Sequence, residues 1–236
     1  MMILLYRLLQ ALLADGGQRY TETDLSHLIV EPWNGASAAL FLLIVGYWAF
    51  KLRGQYRRHL FLSINLPILA IGGIGGTLFH AFRVSEIFLL MDWLPITILC
   101  MAASVYFFIR VLDHWWQAAL LVGLTLLSQV LMFQYEWLPI DLAVNVNYSV
   151  MGALILLPTV LLLWKTEFYA GKWVGYALAA FVLAIACRAL DSEALLPMGP
   201  HFLWHVFGAV ACYSMFQYVY EINLQHEPQP QTATVA

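Results

Sequence analysis

Residues 60–82 read LFLSINLPILAIGGIGGTLFHAF, an apolar stretch with no formal charge before Arg83. A helix rising 1.5 Å per residue needs about 20 such residues to cross a bilayer. Six more stretches are long and apolar enough: 34–52, 87–109, 115–134, 145–164, 173–190 and 201–220. The expected fold is therefore all-α, a seven-transmembrane helix bundle. Composition agrees. Of 236 residues, 62% are hydrophobic and 11% charged, whereas a soluble domain carries about 25% charged residues. Too little polar surface exists to cover a soluble core.

No linker interrupts the series, so residues 1–222 read as one membrane domain. The polar stretch 223–236 reads as a disordered tail. The opening MMILLYRLLQALLADGG, residues 1–17, is interrupted by Arg7 and Gln10 and reads as a short amphipathic helix at the membrane interface. A formal charge of −3 and the lack of a basic face exclude a nucleic-acid partner. Cys100, Cys187 and Cys212 fall within apolar runs, an odd count that argues for buried thiols over a disulfide framework.

Lysine and arginine set the expected orientation. Lys51, Arg53, Arg57, Arg58, Arg110, Lys165 and Lys172 fall on one side of the series, and Arg7, Arg19, Arg83 and Arg188 on the other. The richer side is expected to be cytoplasmic. Seven spans then put the N-terminus outside and the C-terminus in the cytoplasm.

That arrangement gives four polar side chains a shared depth. His80 ends the second span, Asp92 begins the third, and His201 and His205 begin the seventh. All four fall in the outer half of the bilayer, toward the non-cytoplasmic side. Four residues apart, His201 and His205 lie about 40° around the helix from each other and about 6 Å along it, so both rings can turn to one point. Zinc takes histidine nitrogen, and catalytic zinc commonly keeps three protein ligands and one open position. His80, His201 and His205 are thus candidate metal ligands, with Asp92 the candidate proton carrier. His59, His114 and His226 lie far from this depth and read as solvated.

The stretches EPWN at 31–34, GIGGTLFH at 73–80, LLMDWLPI at 89–96 and GPHFLWHVFGAVACY at 199–213 together resemble the alkaline ceramidase family. That family belongs to a larger group of seven-span metal hydrolases that includes the adiponectin-receptor-like proteins. The resemblance covers most of the chain. It implies zinc held by His80, His201 and His205, with Asp92 beside it. The implied reaction is hydrolysis of the amide of a ceramide-like lipid to a sphingoid base and a fatty acid. Two departures stand out. The family has a serine one turn before the span-two histidine, where this chain has Gly76. Thr77 is the adjoining candidate hydroxyl, but one residue rotates a helical side chain by about 100°. The family's eukaryotic members also carry an acidic calcium-binding segment before span one. RYTETD at 19–24 resembles it and Glu31 matches a later glutamate, so Glu22, Asp24 and Glu31 are expected as calcium ligands, although Arg19 replaces an aspartate.

The residues leave alternatives open. A hydrolase of another lipid class would share the same zinc site. A seven-span receptor or scaffold could hold structural zinc with Asp92 as fourth ligand.

Overall fold

The computed structural model describes residues 17–225 apart from Glu136, and among these it contains helices and no strand. The expected interfacial helix falls on 1–17, almost all of it outside the described residues, as do positions 226–236 of the expected tail.

Helices α1 (Pro32–Ala38) and α2 (Leu40–Lys51) follow each other with a break at Ala39. Then come α3 (Leu60–Phe82), α4 (Glu86–Val111), α5 (Trp115–Gln134), α6 (Ile140–Lys165) and α7 (Gly171–Ala189). A short 3-10 turn (Asp191–Glu193) precedes α8 (His201–Gln225). Among the described residues, six segments are long and apolar enough to cross a membrane: α1 with α2, and α3 through α7. Their outward faces carry exposed Leu43, Ile64, Leu124 and Val182, the surface that a hydrocarbon solvent favours. The chain is thus all-helical with the character of a multi-pass membrane protein.

Helix α8 has 25 residues but is not among those six, because it carries His201, His205, Gln217, Glu221 and Asn223. These polar groups are met inside the bundle. Lys51 donates to the Gln217 amide oxygen at 2.9 Å and Trp173 Nε1 to Glu221 at 2.7 Å. The Tyr106 hydroxyl donates to Asn223 at 2.7 Å. That last bond also moves the expected tail boundary: residues 223–225 continue the helix.

Lipid tails are as apolar as leucine, so close packing, not water exclusion, holds such helices together. The glycine run in α3 supplies it. A Cβ on Gly75 would meet the backbone carbonyl carbon of Met91 at 2.5 Å, and one on Gly72 would meet Pro95 Cβ at 3.3 Å. Helices α3 and α4 therefore approach along a close seam that excludes a side chain at Gly75. Helix α8 packs lengthwise on α7 and also touches α1, α2 and α3. Trp48, Leu62, Phe107, Tyr218 and Ile222 fill the core beside its second half.

The two sets of cations separate by end. Lys51 sits over the Tyr220 ring, Arg110 reaches Asn223 and Lys165 donates to the Arg110 carbonyl. Arg83 and Arg188 instead both reach Gln18 at the opposite end. His59 corrects the expectation of a solvated ring. It is fully buried, 4.7 Å from the Tyr220 ring, because the turn at Gly54 (φ +80°) folds residues 52–59 back under the helices.

Candidate metal centre

His80 occupies the last turn of α3, and His201 and His205 the first turns of α8; all three are buried. Their ring centroids lie 5.4 Å (His80–His201), 4.8 Å (His80–His205) and 4.9 Å (His201–His205) apart. One nitrogen from each lies within 4.8 Å of the others. His80 Nε2 and His201 Nδ1 are buried without a hydrogen-bond partner. Leaving buried polar atoms unpaired is costly, about 1–3 kcal/mol each, and a shared cation would satisfy them.

The outer nitrogens are held. His80 Nδ1 lies 2.5 Å from Glu31 Oε2. His205 Nδ1 lies 3.0 Å from Ser37 Oγ and 3.1 Å from the Asn34 carbonyl. Donation through Nδ1 leaves each Nε2 lone pair turned inward, the tautomer that metal-binding histidines adopt. The three residues therefore fit a metal ion; the ion's identity is not fixed by them.

Glu31 is the hub of this shell. Its Oε1 accepts from Thr23 Oγ1 at 2.6 Å and Arg83 Nη1 at 2.6 Å, and its Oε2 also accepts from Asn34 Nδ2 at 3.1 Å. Burial pushes the carboxyl up. The His80 hydrogen bond, the His80 and Arg83 charges and the Thr23 hydroxyl outweigh it and hold the group below the usual carboxylate range. The backbone fixes the same contact: Val30 and Glu31 N–H groups donate to the Ala81 and His80 carbonyls at 2.8 and 3.1 Å. Arg83, left-handed at φ +53°, ends α3 and turns its guanidinium back to Glu31.

The three carboxylates expected as calcium ligands each have protein partners in the structure. Glu22 accepts from the backbone N–H groups of Trp33 and Asn34 at 2.6 and 2.9 Å, at the start of α1. Asp24 closes a turn onto Ser26 and pairs with His27. Glu31 belongs to His80 and Arg83. Among the described residues, the three histidines are the sole group of three or more metal-ligating side chains that converge. An arginine guanidinium holds the buried glutamate where a bound cation was expected.

Asp92 does come close. A Cβ on Gly76 would lie 2.5 Å from Asp92 Oδ1, so the glycine in the place of a serine is what admits the carboxylate. Asp92 and His205 line one cavity, and Asp92 lies within charge range of His80 and Arg188. Thr77 does not join them through its hydroxyl, which donates to the Gly73 carbonyl at 2.7 Å on its own helix.

Two residues were not anticipated from the sequence. Tyr20 stacks on His201 with centroids 3.7 Å apart and planes at 20°. Burial pushes its phenol up against the opposing pull of the Arg188 guanidinium. Asp191 accepts from the His201 N–H at 3.0 Å and the Thr21 N–H at 2.8 Å, tying the incoming chain to the start of α8. Its signal was weak: one acidic residue in the loop before the paired histidines.

The cavity has a volume of about 220 Å³ and mostly apolar walls. It runs from Asp92 and His205 to Phe107 and Val219. Fifteen residues of α4 separate Asp92 from Phe107, about 22 Å of helix, against a hydrocarbon core of about 30 Å.

No protein-family model matches this chain, and no curated protein matches it in sequence. The ceramidase resemblance rests on the motifs quoted above.

Proposed function

We propose that the chain is a membrane-embedded, zinc-dependent amidase that hydrolyses ceramide-like N-acyl lipids. In this reading α8 is the seventh span, the N-terminus lies outside, the C-terminus lies in the cytoplasm, and the site faces the non-cytoplasmic side. The observation that carries the reading is the convergence of three buried histidines, one of which, His205, shares a long apolar cavity with Asp92. A structural zinc site is usually closed by four protein ligands. Three histidines with a carboxylate in charge range suit an open, catalytic site better.

Zinc bound there would supply Lewis acidity toward an amide carbonyl and toward water. The chain's residues do the rest. The cavity takes the acyl chain and sets the amide near His205 and Asp92. Asp92 accepts a proton as water oxygen bonds to the carbonyl carbon. As the carbon–nitrogen bond breaks, the same carboxyl returns that proton to the leaving amine. Glu31 keeps His80 in one tautomer, and Asn34 with Ser37 does so for His205.

The test uses protein purified in detergent. We expect about one zinc per chain by elemental analysis, lost in His80→Ala, His201→Ala and His205→Ala. Asp92→Asn should keep the zinc and lose fatty-acid release from ceramide. Equal metal in wild type and all three histidine variants would remove the site. Release from phospholipids alone would move the activity to another lipid class. Full zinc with no release from any lipid would favour a receptor or scaffold.

A further inference from the structure

Arg188 ends α7 beside the metal centre, with Asp92 in charge range but no described carboxylate in direct contact. Its Nε is buried without a hydrogen-bond partner. The hydrogen bond from Nη2 to Gln18 Oε1 is long, at 3.5 Å. The guanidinium lies 5.1 Å from the Tyr148 ring centroid and 5.5 Å from that of Trp204, and faces the Tyr20 phenol. No carboxylate forms an ion pair with it among the described residues. Cation–π contacts position such a group, and beyond the Tyr20 phenol and the long Gln18 bond its fork still has Nε to offer.

Its place gives those donors a use. Tyr148 and Trp204 are also walls of the cavity, so Arg188 stands behind the rim nearest His205. The cavity runs from that rim the other way, toward Phe107 and Val219. With the acyl chain in the cavity and the amide at His205 and Asp92, the amine-side substituent projects toward Arg188 and Tyr20. Glu31 is already matched by Arg83, Asp191 by the His201 and Thr21 N–H groups and Glu22 by those of Trp33 and Asn34.

Resting on the amidase reading, we propose that Arg188 is a specificity-determining residue that binds an anionic head group, a carboxylate on the amine side of the N-acyl lipid. The planar guanidinium fork matches a carboxylate with two parallel hydrogen bonds. The preferred substrates are then N-acyl amino-acid lipids over neutral ceramide.

Equilibrium binding to the zinc-loaded protein in detergent tests this without relying on turnover. The probes are N-palmitoylglycine, its methyl ester and free palmitate. Charge-assisted hydrogen bonds predict that the acid binds about tenfold to hundredfold tighter than the ester. Arg188→Gln should collapse that ratio toward one, and Arg188→Lys should keep part of it. Lys172→Gln, a control for net charge at the other end, should leave it unchanged. Equal binding of acid and ester by wild type overturns the proposal, as does a ratio that persists in Arg188→Gln. Palmitate binding as tightly as N-palmitoylglycine would assign the arginine to the product carboxylate and overturn the head-group assignment. Hydrolysis is read separately: a charge preference with no fatty-acid release would keep the subsite and sink the amidase.

Discussion

At the scale of single residues, Glu31 carries the sharpest consequence. Breaking a buried ion pair typically costs about 3–5 kcal/mol, and losing the carboxylate behind a metal-binding histidine costs about tenfold to hundredfold in affinity. Glu31→Gln should show both losses, by thermal unfolding in detergent and by competition with a zinc chelator. The folded carboxyl lies below its ordinary value. Its stabilising contribution is thus complete above the unfolded pKa of about 4.3 and is lost as pH falls through the lower folded value. Melting differences between wild type and Glu31→Gln should be full at pH 6 and fade in acid; a difference constant down to pH 3 would refute the pairing. The sequence made Glu31 legible as a functional carboxylate but not its partner. Arg83 reads as a span-flanking cation until the left-handed turn after α3 brings it back. Gly76 was legible as a departure, not as the reason Asp92 fits. Gly76→Ala presses on a carboxylate that can swing aside, so the fold and zinc should survive. Turnover should drop about a hundredfold for a misplacement near 1 Å. Gly75→Ala presses on Met91 backbone and should lower the melting temperature instead.

Elements were read well where one physical quantity decides them. Length and apolarity give the crossing segments, and α3 spans Leu60–Phe82 as expected. The same criterion weakens at α8, whose polar residues are there for partners in other helices. The break at Ala39 was illegible, since nothing in GASAAL forbids a continuous helix. The segment 17–31 was the least readable, because its order comes from tertiary bonds: Arg83 to the Gly17 and Gln18 carbonyls, and Asp191 to Thr21. Asp191 joins that segment to the start of α8, doing for His201 N–H what an N-cap does. Cap loss costs about 0.5–2 kcal/mol, and here a second N–H is orphaned too. Asp191→Ala should therefore lower the melting temperature and speed zinc release to a chelator, measured as an off-rate. An unchanged off-rate would mean that α8 holds its histidines without this anchor.

For the whole molecule, the proposed seven-span topology makes two ends testable against each other. Single cysteines at Arg57 and at Met198, in a variant lacking Cys100, Cys187 and Cys212, should label from opposite sides of sealed vesicles with a membrane-impermeant reagent. The Arg57 site should label only from the cytoplasmic side. Labelling of both from one side would mean that α3 through α7 do not make five crossings. The candidate ligands are also far apart along the chain, at 80 and at 201 and 205. His80 and its clamp of Glu31 and Arg83 exist once synthesis has passed Arg83. His201 emerges 121 residues after His80, roughly 6–24 s later at 5–20 residues per second. For that interval the ribosome carries a half-built centre with a single imidazole in place. In the proposed reading, metal capture then closes a loop of 121 residues, so loading marks a chain that has made α8. Chains truncated before α8 would be left metal-poor, with the glycine seam already zipped, and distinguishable to any quality-control protease by what they failed to bind.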